Sequence, residues 1–297
     1  MRILHLFNWP LKDINYNLDK IASQNFNAIQ INPIQPLKED GYKEWWMSYQ
    51  PCSFKIGNIY GSKEELIELC KHAKEKNLMI FADVVCNHMA GSIFDDLVPH
   101  EKVDKNLTNN PNFWKVKKNI YNWNNRNEVI NYCMNLPGLN LSNKELQKII
   151  IEFLYELLDC GIEGFRFDAA KTIALPEEGN DFFSIINSNF KNMNIFMYGE
   201  VIFASYDLIE KYSKYIKVLT DYSNNDEDKV VRFVESHDTY LSNDNLGYTK
   251  RLASSVIAQN YNNLSSNYSH TIFYARPYDD TWQSSIISSA NKKIIKK

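Results

Sequence analysis

The chain has 297 residues, with 33 Lys and Arg against 36 Asp and Glu, for a formal net charge of −3. That length holds one large domain with a sizeable core, and charges of both signs are scattered, with a lysine-rich run only in the last few residues, so nucleic acid is not an expected partner. Five cysteines (52, 70, 86, 133 and 160), odd in number and without a C-x-x-C pair, read as reduced thiols; with no leader before the first strand and no apolar run near 18 residues, the expectation is a soluble, cytoplasmic chain with no membrane partner.

Strand-like runs recur at 2–7, 28–32, 79–85, 163–168, 195–199, 216–220, 230–235 and 271–275. Between them lie helical patterns. Residues 62–77 open with the capping box Ser62-Lys63-Glu64-Glu65 and place Leu66, Ile67, Cys70 and Ala73 on one face. Residues 142–160 repeat the device with Ser142-Asn143-Lys144-Glu145, carry Leu146, Ile149, Ile150, Phe153, Leu154 and Leu157, and end at Gly161, where a left-handed residue is wanted. Fainter helical patterns cover 12–25, 181–191, 204–214 and 247–261. Strands alternating with helices predict βα units and a (β/α)8 barrel, which at about 250 residues nearly fills the chain.

Two regions break the alternation. The Asn-rich segment 89–141, with Trp114, Tyr121 and Trp123, predicts a small domain inserted after the third strand, dividing the barrel into 1–88 and 142–297. Only nine residues, 221–229, separate strands six and seven, too few for a covering helix, so the sixth βα unit is abbreviated. A barrel side exposed by that gap is a candidate oligomer contact.

Four apolar runs end in a carboxylate: Ile80-Phe81-Ala82-Asp83, Gly164-Phe165-Arg166-Phe167-Asp168, Phe196-Met197-Tyr198-Gly199-Glu200, and the run from Val231 through Glu235 to Asp238. In a parallel barrel the strand C-termini converge on one polar mouth. Retaining glycoside hydrolysis needs two carboxyl groups about 5–5.5 Å apart, one charged nucleophile and one protonated acid. Arg166, two residues before Asp168 on the same strand face, favours the charged form there. A tight apolar site after Met197-Tyr198-Gly199 favours the protonated form at Glu200.

These residues resemble the α-amylase family of retaining glycoside hydrolases over nearly the whole chain. The resemblance rests on Asp83-Val84-Val85-Cys86-Asn87-His88, Gly164-Phe165-Arg166-Phe167-Asp168-Ala169-Ala170-Lys171, Tyr198-Gly199-Glu200-Val201 and Val234-Glu235-Ser236-His237-Asp238. Trp45-Trp46-Met47-Ser48-Tyr49-Gln50-Pro51 and Phe273-Tyr274-Ala275-Arg276-Pro277 are similar to the bacillus-type members. The resemblance implies Asp168 as nucleophile, Glu200 as acid/base and Asp238 as transition-state stabiliser. It implies substrate contacts from Trp46, Tyr49, Gln50, Asp83, His88, Arg166, Lys171 and His237, and starch-like α-1,4-glucans as substrate. A C-terminal β-sandwich usual in the family is not expected in this chain.

The resemblance also implies a structural calcium between barrel and insertion, held by Asn87, an Asp and a His backbone oxygen. Here Gly138 stands where the Asp is expected and Thr172 where the His is expected, so the carboxylate is gone.

Other readings stand beside these. Asp83 fits either direct sugar contact or support of Arg166 from below. Trp45 and Trp46, adjacent in an extended chain, point opposite ways, with Trp46 assigned to the cleft and Trp45 to packing. Trp9, Trp114, Trp123 and Trp282 read as core or loop anchors, and His5, His72, His100 and His270 as structural or surface residues. Glu235 reads as lining the barrel floor or a neighbouring subsite. For function, an α-1,4-glucan hydrolase stands first, with a transglycosylase on α-glucans or a catalytically compromised glucan-binding remnant as alternatives.

Overall fold

The computed structural model describes residues 1–38, 44–220, 228–243 and 245–276. Trp282, the lysine-rich end and most of the short 221–229 connection therefore lie outside the described residues.

Eight parallel strands close in sequence order into a barrel: β1 (Arg2–His5), β2 (Ala28–Ile31), β3 (Met79–Val84), β4 (Gly164–Phe167), β5 (Phe196–Glu200), β6 (Lys217–Thr220), β7 (Val230–Phe233) and β8 (Thr271–Tyr274). All eight expected strands are present. Closure comes from β1 pairing with β8, Arg2 to His5 against Thr271 to Tyr274. The helices are α1 (Leu11–Ala22), α2 (Lys63–Glu75), α3 (Lys105–Thr108), α4 (Arg126–Asn131), α5 (Lys144–Asp159), α6 (Phe182–Phe190), α7 (Tyr206–Tyr212), α8 (His237–Leu241) and α9 (Ser254–Asn267). Among the described residues no helix is long and apolar enough to cross a membrane.

The barrel interior follows from the two-residue period of a strand. Ile3, Ala28, Phe81, Tyr198, Leu219, Val231 and Ile272 form one apolar cluster inside the barrel. Two residues further along β1, β2 and β3 come His5, Gln30 and Asp83, joined from β4 by Arg166, all buried. Polarity thus switches within one step toward the C-terminal mouth, where barrel sites form. Tyr198 links the two groups, its hydroxyl donating to Gln30 Oε1 at 2.7 Å. Gly199 in β5 has no room for a side chain, since a Cβ there would lie 2.7 Å from the Ala170 Cβ and 2.4 Å from Ile216 Cδ1.

Local predictions hold with instructive shifts. Ser62 and Glu65 form the capping box of α2. On that helix Leu69, not Ile67, joins Leu66, Cys70 and Ala73 in the core; Ile67 is exposed. Asn143, rather than Ser142, caps α5, accepting from the backbone N–H groups of Glu145 and Leu146. Gly161 ends α5 at φ +100°. The expected helix 247–261 splits into a 3-10 turn, Tyr248–Arg251, and α9, because no side-chain cap fixes its start. All five cysteines are free and buried.

Segment 89–141 contains only the short helices α3 and α4, a 3-10 turn (Pro111–Phe113) and isolated bridges such as His88 with Gly138 and Trp114 with Leu139. A small apolar set, including Val103, Leu107, Phe113 and Val129, is buried within it.

Candidate active site

Strand register brings the first acid to the arginine. Asp83 in β3 is the register partner of Arg166 in β4, and Arg166 that of Tyr198 in β5. Arg166 Nη1 donates to both Asp83 oxygens at 2.8 Å and to Asp168 Oδ1 at 2.8 Å. Its Nη2 lies 2.6 Å from Glu200 Oε1. One buried guanidinium therefore grips three of the four strand-end acids.

The turn after β4 adds a second hold on Glu200. Ala169 adopts a left-handed conformation at φ +48°, uncommon for a residue with a side chain and characteristic of functional sites. Its backbone N–H donates to Glu200 Oε2 at 3.0 Å.

Four carboxyl groups around one arginine cannot all ionise. Two like charges about 4 Å apart repel by about 4 kcal/mol at an effective dielectric of about 20, equivalent to roughly three pKa units. Accordingly burial pushes Asp83 up to about 7 against the pull of Arg166. Burial, reinforced by Glu200 and Asp168, pushes Asp238 up to about 8. Glu200 is raised as well, chiefly by burial.

Aromatic rings wall one side. His237 lies nearly parallel to Phe7 and Tyr49, with centroids 4.7 and 5.0 Å away, and Trp45 meets it edge-on at 5.4 Å. Burial, His5 and Arg166 push His237 well below its usual pKa, so it is neutral, and its Nε2 lies 3.4 Å from Asp238 Oδ2. His88 Nε2 donates to the Tyr49 carbonyl at 2.9 Å. Gln50 Oε1, His88 Nδ1 and His5 Nε2 are buried polar atoms without a hydrogen-bond partner, a costly arrangement in a dry core.

Several expectations change. Asp83, grouped with the sugar-contacting residues, has no exposed side-chain surface and gives both oxygens to Arg166, with Tyr49 Oη donating to it at 2.8 Å. That placement matches the second of its two readings, support of Arg166 from below. Trp45 and Trp46 lie in a 3-10 turn (Trp45–Tyr49), not an extended chain, yet they still diverge: Trp46 is exposed and Trp45 packs on Phe7 and His237. Trp123 is no anchor; it is half exposed, with the Lys171 ammonium 5.7 Å from its ring. Lys171 also donates to the Phe203 carbonyl at 2.8 Å. Trp123, Lys171, Met134, Ile202, Phe203 and Leu246 line a cavity of about 540 Å³ that reaches Glu200 and Asp238.

His5, expected as a structural or surface residue, lies beside the strand-end acids: it packs edge-on against His237 and lines a small cavity with Arg166 and Glu200. Glu235 lines the same small cavity and is fully buried in a bidentate pair with Arg276, at 2.7 and 2.8 Å. Arg126 was not singled out either, and it joins α4 to the turn after β4 through Glu178, Tyr212 and two backbone carbonyls. Such partners lie tens of residues apart and leave no local pattern.

The expected calcium ligands are brought together, but around a lysine. Lys115 Nζ donates to Asn87 Oδ1 at 3.2 Å and to the Thr172 carbonyl at 3.1 Å. Among the described residues no cluster of three or more His, Cys, Asp or Glu is placed to hold a metal ion. Without a carboxylate, Asn87 and Thr172 do not make the six to eight oxygens that calcium takes.

Eight parallel strands closed in sequence order, with carboxylates gathered on one arginine at their C-terminal mouth, make this a (β/α)8 barrel with an acidic site. A family model described as the α-amylase catalytic domain matches residues 10–271, and the chain belongs to that family. It is 30% identical to an α-amylase of Clostridium acetobutylicum, over 98% of this chain and 43% of that protein. It is 28% identical to an α-amylase-related protein of Drosophila bocqueti, over 70% of this chain and 45% of that one. The chain thus spans less than half the length of these relatives. Among solved structures, α-amylase I from Eisenia fetida superposes with a TM-score of 0.73 at 20% identity, covering 93% of this chain and 66% of that one. An α-amylase from Geobacillus thermoleovorans, solved with acarbose, gives 0.73 at 19% identity, covering 99% and 77%. Those likenesses concern the fold.

Proposed function

We propose that the chain is a retaining hydrolase of α-1,4-glucosidic bonds in starch-like glucans or maltooligosaccharides. The observation that carries this reading is the shared grip of Arg166 on Asp168 and Glu200, at 2.8 and 2.6 Å. In the first step an Asp168 oxygen bonds to the anomeric carbon as the glycosidic C–O bond breaks, and Glu200 gives its proton to the leaving oxygen. In the second, Glu200 takes a proton from water, whose oxygen attacks the same carbon and releases Asp168 as carboxylate. Burial that raises Glu200 supplies the protonated form the first step needs. Asp238, beside His237, faces the same cavity as Glu200 and is assigned to transition-state stabilisation.

Trp46, Tyr49, Gln50, His88, Lys171 and His237 are assigned to the glucan, and Asp83 and Arg166 to holding the acids. Residues 89–141 act as a small inserted domain that supplies Trp123 to the cleft. Incubation with maltoheptaose tests the reading: shorter maltooligosaccharides are expected, and no turnover by folded protein overturns it. Longer products would favour the second reading, transglycosylation, which the apolar wall of Ile202, Phe203 and Leu246 near Glu200 supports by favouring a sugar acceptor over water.

A further inference from the structure

The segment 170–173 directly follows the proposed nucleophile's turn, and three successive carbonyls there are held by cations from segment 89–141. Arg126 donates to the carbonyls of Lys171 and Ile173. Lys115 donates to the carbonyl between them, that of Thr172, and also to Asn87 Oδ1 in the loop just after β3. Glu178, the one acid lining the 550 Å³ cavity beside Lys115, is taken by Arg126 through both oxygens. Among the described residues no other carboxylate stands there to complete a calcium shell.

The loss at position 138 and the gain at position 115 are coupled in space. Lys115 N–H donates to the Gly138 carbonyl at 2.8 Å, which lays the lysine stem across the glycine. A Cβ on Gly138 would lie 3.0 Å from Lys115 Cδ and 3.3 Å from Cys133 Sγ. An aspartate there would press on the lysine stem. The charge also balances: a divalent ion with one aspartate carries +1 in sum, and so does one ammonium opposite glycine.

We propose that the Lys115 ammonium takes the place of the family's structural calcium, so that the junction between the barrel and residues 89–141 is held without metal. The inference stands whether or not the chain hydrolyses glucans, because its readout is stability.

The test is calorimetric melting of the purified protein in EDTA and in millimolar calcium, for the wild type, Lys115→Met and Lys115→Met with Gly138→Asp. Coincident wild-type melting temperatures are expected; a rise in calcium or a fall in EDTA overturns the proposal. Lys115→Met should melt several degrees lower, with faster protease cleavage within 89–141. An unchanged melting temperature and cleavage rate would remove the role given to the ammonium. The double variant should melt higher in calcium than in EDTA, and a folded double variant indifferent to calcium would show that Lys115 does not stand in the metal's place. If that variant fails to fold, the single variant still decides.

Discussion

Arg166 Nη2 lies 2.6 Å from Glu200 Oε1, while the other nitrogen of the same guanidinium spans Asp83 and Asp168. The proposed acid and the proposed nucleophile are thus fixed by two ends of one planar group, with little freedom to drift apart. A bidentate fork sets such geometry where a lysine's single ammonium would not.

Glu200→Gln keeps the shape and the Arg166 contact but removes the transferable proton. We expect kcat to fall about 10²–10⁴-fold, with circular dichroism unchanged. Asp168→Asn should fall at least as far. Near-wild-type turnover of either variant on maltoheptaose would remove its assigned role.

Arg166→Met strands Asp83, whose side chain has no exposed surface. Removing one partner of a buried pair costs about 3–5 kcal/mol. Because Asp83 is pushed up to about 7 by burial even with its partner in place, the stranded acid can shed its charge by protonating. The loss in urea denaturation should therefore be larger above pH 7 than below it. A loss independent of pH would mean that Asp83 does not titrate there.

Asp238 gives a stability slope with a definite sign. Its native carboxyl is raised by burial to about 8, whereas the unfolded chain releases that proton near pH 4, at about the ordinary Asp value of 3.9. Between those values the native state holds more protons, so rising pH favours unfolding. Melting temperature should fall from pH 5 toward pH 8, with Asp83 and Glu200 adding to the trend. Asp238→Asn should flatten the slope and raise stability at pH 8 while lowering activity. An unaltered slope would show that Asp238 carries its charge at neutral pH.

The barrel and the site were legible to different depths. Acids at strand ends could be read because a strand aims alternate residues to one side and a parallel barrel aims all its ends to one mouth. Hence Asp83, Arg166, Asp168 and Glu200 meet as the motifs imply. Helix α9 was misplaced because its Asn- and Ser-rich sequence has neither a side-chain cap nor a strong apolar stripe. The choice between Ile67 and Leu69 turned on a rotation of α2 that packing against the barrel sets. The left-handed Ala169, whose N–H reaches Glu200 Oε2 across 31 residues, has no local signal. Lys115, Arg126 and Arg276 find their partners 28 to 57, 45 to 86, and 24 to 41 residues away, beyond any local pattern.

The Glu235 and Arg276 pair ties the residue after β7 to the segment after β8. Both side chains are buried, the fork is bidentate at 2.7 and 2.8 Å, and Arg276 also donates to the carbonyls of Thr249 and Leu252. This one side chain therefore holds the 3-10 turn at 248–251 that packs against α8, the helix carrying His237 and Asp238. Arg276→Met takes the bidentate partner from a fully buried Glu235 and should cost about 3–5 kcal/mol, with weaker substrate binding because α8 loses its backing. Adding Glu235→Leu removes the buried carboxylate and should recover much of the stability but not the binding, since the Thr249 and Leu252 contacts stay lost. A double-mutant cycle read by denaturation and by maltoheptaose KM separates the two effects. If the double variant recovered both, Arg276 would matter only as the counter-ion of Glu235.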